Sequence, residues 1–173
     1  MILTFHKYQG TGNDFVMIDN RNQLFPKNNL SVLHKLCDRN FGVGADGVIL
    51  IENDTTSDFK MSYFNADGSE TFCGNGGRCA VAFAKYLKII NSKTTFSAFD
   101  GLHYAEIENN IISLQMIDVN DIKVSENSVF VYTGTQHHVE IVDRLDEYPV
   151  FENGKKIRYS YDDPGSNVNF VQK

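Results

Sequence analysis

A segment near the middle of the chain, residues 77–88, has a helical pattern that is apolar over most of its circumference. Its apolar residues are spread around the helix and do not form one stripe. They are Cys79, Ala80, Val81, Ala82, Phe83, Ala84 and Leu87. A surface helix carries one apolar stripe, whereas a helix that is apolar nearly all round has to be buried. We therefore expect a sheet to wrap around this helix, which restricts the chain to folds with a central helix.

Candidate strands lie on both sides of this helix. Apolar or alternating runs predict four strands before it, at residues 2–8, 15–19, 48–52 and 59–65. Three more follow it, at residues 94–99, 102–108 and 111–117, and the two-residue turns Asp100-Gly101 and Asn109-Asn110 make them an antiparallel meander. The pattern predicts an α+β fold.

A second helix is predicted at residues 30–39, with Asn29 as its N-cap and Cys37 on its apolar face, where a core role is expected. The glycine-rich loop that follows, residues 41–47, leads into a strand. A dinucleotide-binding fingerprint follows a strand and opens a helix, so we exclude it here.

The loop before the central helix holds a cysteine among glycines. A turn signal at residues 65–68 precedes Cys73, and glycines stand at positions 74, 76 and 77. Glycine leaves little bulk beside the backbone, and the first N–H groups of the following helix can bind an anion. The helix dipole there favours a thiolate over a thiol. The pattern indicates a carboxylate site beside a reactive sulfur; the alternative is a structural cysteine in a tight loop.

Composition limits the class of partner. The net charge of −6 and the pI of about 5.3 argue against nucleic acid. No apolar run is long enough to cross a membrane, and the N-terminus alternates like a strand instead of resembling a signal peptide. The three cysteines are interpreted as thiols and not as a disulfide framework. We expect a cytoplasmic protein that binds a small molecule and neither nucleic acid nor a membrane.

The second part of the chain repeats a pattern from the first. Residues 8–19 align with residues 132–143, and Tyr, Gly, Thr and the final Asp coincide. We interpret this as two related domains, 1–117 and 118–173, with a polar crossing segment at 118–127; chance similarity of two turn–strand units is the alternative. A second cysteine loop would then fall near position 197, and a complete chain would have about 250 residues.

Four motifs in order resemble one known family. They are Asn65-Ala-Asp-Gly-Ser-Glu with Cys73-Gly-Asn-Gly-Gly-Arg, Gly12-Asn-Asp-Phe, the loop Phe41-Gly-Val-Gly-Ala-Asp, and Gly165-Ser-Asn-Val-Asn-Phe-Val. The chain resembles the diaminopimelate epimerases. This resemblance implies two pseudo-symmetric domains, each with a central helix wrapped by a mixed or antiparallel sheet, of which the second is incomplete here. It also implies two-base interconversion of LL- and meso-2,6-diaminopimelate for lysine and peptidoglycan precursors, without PLP.

The same resemblance implies roles for individual residues. Cys73 matches one of two catalytic cysteines, and His137 matches a histidine that assists proton transfer. Gly74 and Asn75 match the residues that hold the α-carboxylate end of the substrate. The asparagines that contact the substrate correspond to Asn13, Asn65 and Asn167. The resemblance implies no cofactor and no metal, and it makes a homodimer possible.

The chain departs from the family pattern at three places. Gly47 replaces a glutamine that many members carry, and Thr135-Gln136 stands where Asn-Pro or Ser-Pro is usual. The family's Glu-Arg pair and second cysteine loop are absent from these residues, so we expect the isolated chain to be inactive. Two alternatives remain: a related cofactor-independent amino-acid racemase or isomerase of the same fold, or an inactive fragment that serves as a binding module.

Overall fold

The computed structural model describes residues 2–162 and 165–172, and the chain divides into two units, Met1–Met116 and Ile117–Lys173. Both units combine strands with helices, so the α+β class predicted from the sequence is confirmed. Within these described ranges, no helix is both long enough and apolar enough to span a membrane.

The first unit contains one eight-stranded sheet and two helices. Its strands are β1 His6–Gly10, β2 Asn13–Asp19, β3 Gly47–Glu52, β4 Phe59–Asn65, β5 Glu70–Thr71, β6 Lys93–Ala98, β7 Gly101–Glu108 and β8 Ile111–Leu114. Its helices are α1 Leu30–Cys37 and α2 Gly74–Tyr86. The strand order is β1-β2-β3-β4-β6-β7-β8, with β5 paired to β4. The β2–β3 and β4–β6 pairs are parallel and the others antiparallel, so the sheet is mixed.

The centre of the sheet is buried on both faces because the two helices cover opposite sides. In β3, Ile49 and Ile51 pack in the cluster that contains the buried face of α2, while Val48 and Leu50 pack in the cluster that contains α1. Successive side chains of a strand point to opposite faces, which explains why every residue of β3 is buried. The predicted wrapping of α2 by strands is thereby confirmed, and Cys37 and Cys79 lie in the core as expected.

The start of α2 differs from the prediction. The helix begins at Gly74 and not near residue 77, although glycine has poor helix propensity. Gly76 and Gly77 suit this position because the first turn of α2 packs closely against the sheet. A Cβ atom on Gly76 would lie 3.0 Å from Ile49 Cδ1, and one on Gly77 would lie 2.9 Å from Leu114 Cδ2. Packing therefore overrides intrinsic propensity, and Cys73 becomes the N-cap residue.

The second unit contains a four-stranded sheet in the order β12-β11-β10-β9. Its strands are β9 Ile122–Val124, β10 Ser128–Tyr132, β11 Gln136–Ile141 and β12 Asn167–Val171. A short 3-10 turn, Leu145–Glu147, and helix α3, Val150–Arg158, lie between β11 and the parallel strand β12. The segment 118–127 was expected to be only a crossing segment, and this is wrong in part because β9 lies within it. The strand sequence Ile-Lys-Val alternates, but it is only three residues long and all three are exposed, so no burial of an apolar face accompanies it.

Both units share one connectivity. In each, an antiparallel hairpin (β1–β2 or β10–β11) is followed by a helix and then by a strand parallel to the second hairpin strand (β3 or β12). Common ancestry of the two units stays a prediction, and this connectivity agrees with it.

Candidate active site

Cys73 and Asn13 lie together at the start of α2. Asn13 is the first residue of β2, directly after a tight turn in which Thr11 and Gly12 have φ angles of 57° and 84°. Cys73 has the extended conformation of an N-cap residue, with φ −134° and ψ 122°. Its Sγ atom donates to Asn13 Oδ1 at 3.4 Å. Two residues 60 positions apart in sequence are thus in contact.

The first turn of α2 presents backbone N–H groups beside this sulfur. The Gly77 N–H donates to the Cys73 carbonyl at 2.7 Å, and no side chain caps the helix start in the described part of the chain. The N–H groups of Gly74, Asn75 and Gly76 come before the first intrahelical bond of the α-type, so they are the groups that can bind an anion. The sequence predicts an anion site next to the cysteine. The structure places the start of α2 directly after Cys73, and anion binding there stays a prediction.

Two hydrogen-bond donors fix the orientation of the Asn75 side-chain amide. Its Oδ1 atom accepts hydrogen bonds from the Arg78 guanidinium and from Thr11 Oγ1, the latter at 3.3 Å. Arginine has no acceptor, so the amide oxygen must face Arg78 and the NH₂ group is turned the other way. The backbone also approaches closely here, because a Cβ atom on Gly10 would lie 3.2 Å from the Asn75 carbonyl oxygen.

Asn13 also contacts a group of charged side chains. The Nδ2 group of Asn13 donates to the Asp46 carboxylate, which also accepts from Arg39 Nη2 at 2.8 Å. Arg39 donates to Asp14 at 2.8 Å as well, and Lys7 donates to Asp14 at 2.7 Å. The Arg39 guanidinium, followed by the hydrogen bond and charge of Lys7, holds the pKa of Asp14 well below its ordinary value against the opposing effect of burial. Asp14 is therefore ionised at neutral pH, in keeping with its cationic partners.

Asn65 has partners at both ends of its amide. Oδ1 accepts from the Tyr63 hydroxyl at 2.7 Å, and Nδ2 donates to Ser69 Oγ at 3.0 Å and to Thr71 Oγ1 at 3.1 Å. These contacts fix its orientation at the end of β4. Burial, followed by the nearby Cys73, raises the pKa of Tyr63, so the phenol stays protonated and remains the donor.

Position 47 contributes no side chain to the site. The Phe64 carbonyl and the Tyr63 ring occupy the space that a side chain would need. A substrate contact from this position, as the family's glutamine would make, is therefore not available.

In the second unit, His137 and Asn167 are aligned as neighbours on the parallel strands β11 and β12. Thr135 Oγ1 links them, at 3.1 Å from His137 Nε2 and 3.4 Å from Asn167 Nδ2. Thr135, one of the departures from the family pattern, thus has a defined role in this unit.

The protonation of His137 follows from its contacts. Burial lowers the pKa of its imidazole, which favours the neutral ring. Asn169 Nδ2 lies 3.2 Å from His137 Nδ1 and also donates to the His138 carbonyl at 3.2 Å. Because an amide NH₂ is a donor, Nδ1 is the acceptor and the proton is on Nε2. His138 has a different partner, since its Nδ1 lies 2.8 Å from the Tyr161 hydroxyl.

Several residues around the site are given no role by the sequence analysis: Thr11, Arg39, Asp46, Tyr63 and Arg78. Arg78 could have been found from its spacing, because residues three apart on a helix are neighbours. Asp46 meets Asn13 only through the parallel pairing of β2 and β3, and no local pattern shows that pairing.

Comparisons with known proteins identify the family of this chain. The family model described as diaminopimelate epimerase matches residues 5–118. A diaminopimelate epimerase from Flavobacterium psychrophilum is 59% identical over 175 residues, covering 99% of this chain and 68% of that protein. One from Chlorobaculum tepidum is 40% identical, covering 94% of this chain and 67% of that protein. The chain thus spans about two thirds of the length of these relatives.

Among solved structures, a probable proline racemase from Agrobacterium radiobacter has a TM-score of 0.64 at 12% identity, over 98% of this chain and 66% of that one. This likeness concerns the fold, and it confirms the fold predicted from the sequence motifs. The recognition of the family from those motifs is confirmed by the curated relatives. The chain belongs to the diaminopimelate epimerase family, a family of isomerases.

Proposed function

We propose that this chain supplies one half of the active site of a diaminopimelate epimerase, with Cys73 as one of two acid–base groups that act on opposite faces of the substrate α-carbon. The observation that carries the proposal is the position of Cys73. Its sulfur is at the N-cap of α2, 3.4 Å from an asparagine oxygen, next to backbone N–H groups that can hold a carboxylate.

The chemistry needs this combination. Inversion of a stereocentre by proton transfer requires a base on one face of the α-carbon and an acid on the other. The α-proton of an amino acid is very weakly acidic, and negative charge develops toward the carboxylate as the proton leaves. Fixed N–H dipoles at a helix start stabilise that charge without having to reorganise. A thiol beside them can exchange its proton near neutral pH.

The amides of the first unit suit a zwitterionic substrate. Asn75 presents its NH₂ group next to the helix start, since its oxygen is held by Arg78, and a carboxylate accepts from such donors. Asn65 retains acceptor capacity on Oδ1, because a carbonyl oxygen has two lone pairs and Tyr63 uses one. We propose that Gly74 and Asn75 bind the α-carboxylate and that Asn13 and Asn65 contact the remainder of 2,6-diaminopimelate.

In the second unit, we propose that neutral His137 assists proton transfer and that Asn167 contacts the substrate. The support is their common link through Thr135 Oγ1 and the tautomer that Asn169 sets.

The second acid–base group is not one of the other two cysteines. Both lie in the core, and burial raises the pKa of Cys37 and raises that of Cys79 to about 11. Neither can exchange a proton with a substrate that docks at the start of α2. We therefore propose that the 173-residue chain alone neither epimerises diaminopimelate nor exchanges its α-proton.

The test compares this chain with the product of the complete gene, using LL-diaminopimelate in D₂O. The complete product should form the meso isomer with deuterium incorporation, and the chain alone should show neither. Turnover only on proline or hydroxyproline would favour a related racemase of the same fold. Turnover by the isolated chain would show that both acid–base groups lie within it. No turnover by the complete product would favour a binding module.

Cys73 is tested by Cys73→Ala in the complete product. Losing a positioned acid–base group should lower kcat at least about 100-fold. Cys79→Ala is the matched control, and it should leave kcat within about twofold because the side chain is buried in the core. Equal losses in the two variants would contradict the assignment.

We also propose a cytoplasmic protein that forms a homodimer. Light scattering on the complete product tests the dimer, since a monomer at micromolar concentration would contradict it.

A further inference from the structure

We propose that Asp46 is a positioning residue that fixes which end of the Asn13 amide faces Cys73. This inference rests on the proposed role of Cys73, but it concerns a residue outside the substrate contacts. It assigns a function to the Gly-Ala-Asp loop, which the family motif contains and the proposed reaction does not use.

The first step of the argument is the chemistry of the two partners of Asn13. Both carboxylate oxygens of Asp46 act as acceptors, one from the Asp14 N–H and the other from Arg39, so the NH₂ group of Asn13 must face Asp46. The amide oxygen is thereby turned to the other side, where Cys73 Sγ lies 3.4 Å away. The orientation of an asparagine amide follows from its network, and here one partner settles it.

The second step concerns the sulfur. An amide oxygen accepts the hydrogen of a thiol but has no hydrogen to donate to a thiolate. An amide NH₂ group at the same place would do the reverse. The orientation of the Asn13 amide therefore decides whether this contact favours the thiol or the thiolate. Because Asp46 turns the amide oxygen toward the sulfur, the contact favours the thiol. The N–H groups at the start of α2 act in the opposite direction, so the sulfur lies between two opposing influences.

The third step is that Asp46 is held independently of Asn13. Its backbone N–H donates to the Asp14 carbonyl at 2.9 Å, and its carbonyl accepts from the Ala66 N–H at 3.0 Å. Its carboxylate accepts from Arg39 at 2.8 Å and from the Asp14 N–H at 3.2 Å. The carboxylate is partly exposed, with 41% of the side chain accessible, so it is not a core residue whose change would disrupt packing.

The variant that tests this arrangement is Asp46→Asn, which keeps the shape of the side chain. Arg39 has only donors, so the new amide oxygen stays with Arg39 and the new NH₂ group faces Asn13. The 3.2 Å contact from the Asp14 N–H is lost. Asn13 should then turn its oxygen toward position 46 and its NH₂ group toward Cys73, which replaces an acceptor beside the sulfur with a donor.

The measurement is the rate of iodoacetamide alkylation of each cysteine at pH 7, resolved by peptide mass spectrometry on the 173-residue chain. Cys73 should react about three- to tenfold faster in Asp46→Asn, because one hydrogen bond to a charged group raises the thiolate population while lowering its intrinsic nucleophilicity. Cys79 is an internal control, since it is buried and reacts only when the unit opens. A parallel rise at Cys79, or no change at Cys73, overturns the proposal.

Loss of the negative charge of Asp46 could itself speed the reaction, so a second background separates the two effects. In Asn13→Ala there is no amide to turn, and adding Asp46→Asn should change the Cys73 rate less than about twofold. A rise as large as in the wild-type background would show that the effect does not pass through Asn13, which overturns the proposal. These rates do not depend on turnover, so failure here is distinct from failure of the proposed epimerase activity, which the kcat of Cys73→Ala reports.

Discussion

The aromatic ring of Tyr63 fills the space that a side chain at Gly47 would need. Gly47 is paired with Asn65 across β3 and β4, and a Cβ atom on it would lie 2.5 Å from Tyr63 Cε2 and against the Phe64 carbonyl oxygen. Its φ angle is not in the left-handed region, so glycine is required for space and not for backbone conformation. The buried ring of Tyr63 is therefore one reason that position 47 holds a glycine.

Substituting Gly47→Ala should therefore lower the free energy of unfolding by about 2 kcal/mol, the usual cost of overpacking a core. Chemical denaturation of the chain measures this. Gly154→Ala is the control, because its Cβ atom would lie 3.6 Å from Phe170 Cε2, an ordinary contact, inside helix α3. It should be neutral or stabilising by up to about 1 kcal/mol. Wild-type stability of Gly47→Ala would show that Tyr63 moves aside easily.

Removing only the hydroxyl of Tyr63 tests what holds Asn65. Tyr63→Phe keeps the ring in place but deletes the 2.7 Å hydrogen bond to Asn65 Oδ1. Stability should fall by about 1 kcal/mol, as for a typical intramolecular hydrogen bond. The KM of the complete gene product for diaminopimelate should rise because Asn65 is held less firmly, by its Nδ2 contacts alone.

Tyr104→Phe is the comparison variant for this change. The Tyr104 hydroxyl donates to Glu106 at an exposed position, so stability should change by less than about 0.5 kcal/mol. A KM effect of equal size in both variants would mean that the Tyr63 hydroxyl has no special relation to the site.

The sequence was sufficient for most of the first unit because its strands alternate and its central helix is apolar. It was insufficient where packing decided the outcome. The glycines at 74, 76 and 77 indicate a loop by propensity, yet the helix begins at Gly74, and Gly76 and Gly77 let its first turn approach the sheet closely. Strand β9 has only three residues, Ile-Lys-Val, and none is buried, so its brief alternation is too short to distinguish a strand from a polar connection.

The same distinction applies to the site. The sequence points to Cys73 and Asn75 because they lie in one short segment with a clear chemical character. Apart from Arg78, which is three residues from Asn75, the contacts around them come from distant segments. Asp46 is 33 residues from Asn13 in sequence, and Thr11 is 64 residues from Asn75. Such contacts need the strand order and register of the sheet, which local patterns do not contain.

In the second unit, the stability contribution of His137 should depend on pH. Burial lowers the pKa of this imidazole in the folded state, below the value near 6.5 expected for an unfolded chain. The unfolded state then binds a proton more readily, so the contribution is fully present above about pH 6.5 and is lost as pH falls through the folded pKa. An NMR titration of the His137 ring should give a midpoint below 6.5, and His137→Gln should reduce the loss of stability between pH 7 and pH 5. A midpoint at or above 6.5 would contradict a pKa lowered by burial.

Arg78 should affect substrate binding through Asn75. Its guanidinium donates to Asn75 Oδ1, so Arg78→Met frees the amide to rotate while keeping an apolar stem of similar length. If the Asn75 NH₂ group binds the substrate carboxylate in the ground state and in the transition state alike, its loss raises KM with little change in kcat. We expect a rise of about five- to tenfold in the KM for diaminopimelate, the size of one hydrogen bond, in the complete gene product.

Lys85→Met is the matched control for Arg78→Met, because it removes the same charge from an exposed position in the last turn of the same helix. It should change KM by less than about twofold, since an exposed charge at that distance is screened by salt. An equal rise in KM in both variants would mean that net charge alone attracts the substrate. A fall in kcat at unchanged KM in Arg78→Met would instead place the Asn75 contact in the transition state only, with the carboxylate held first by the backbone N–H groups of α2.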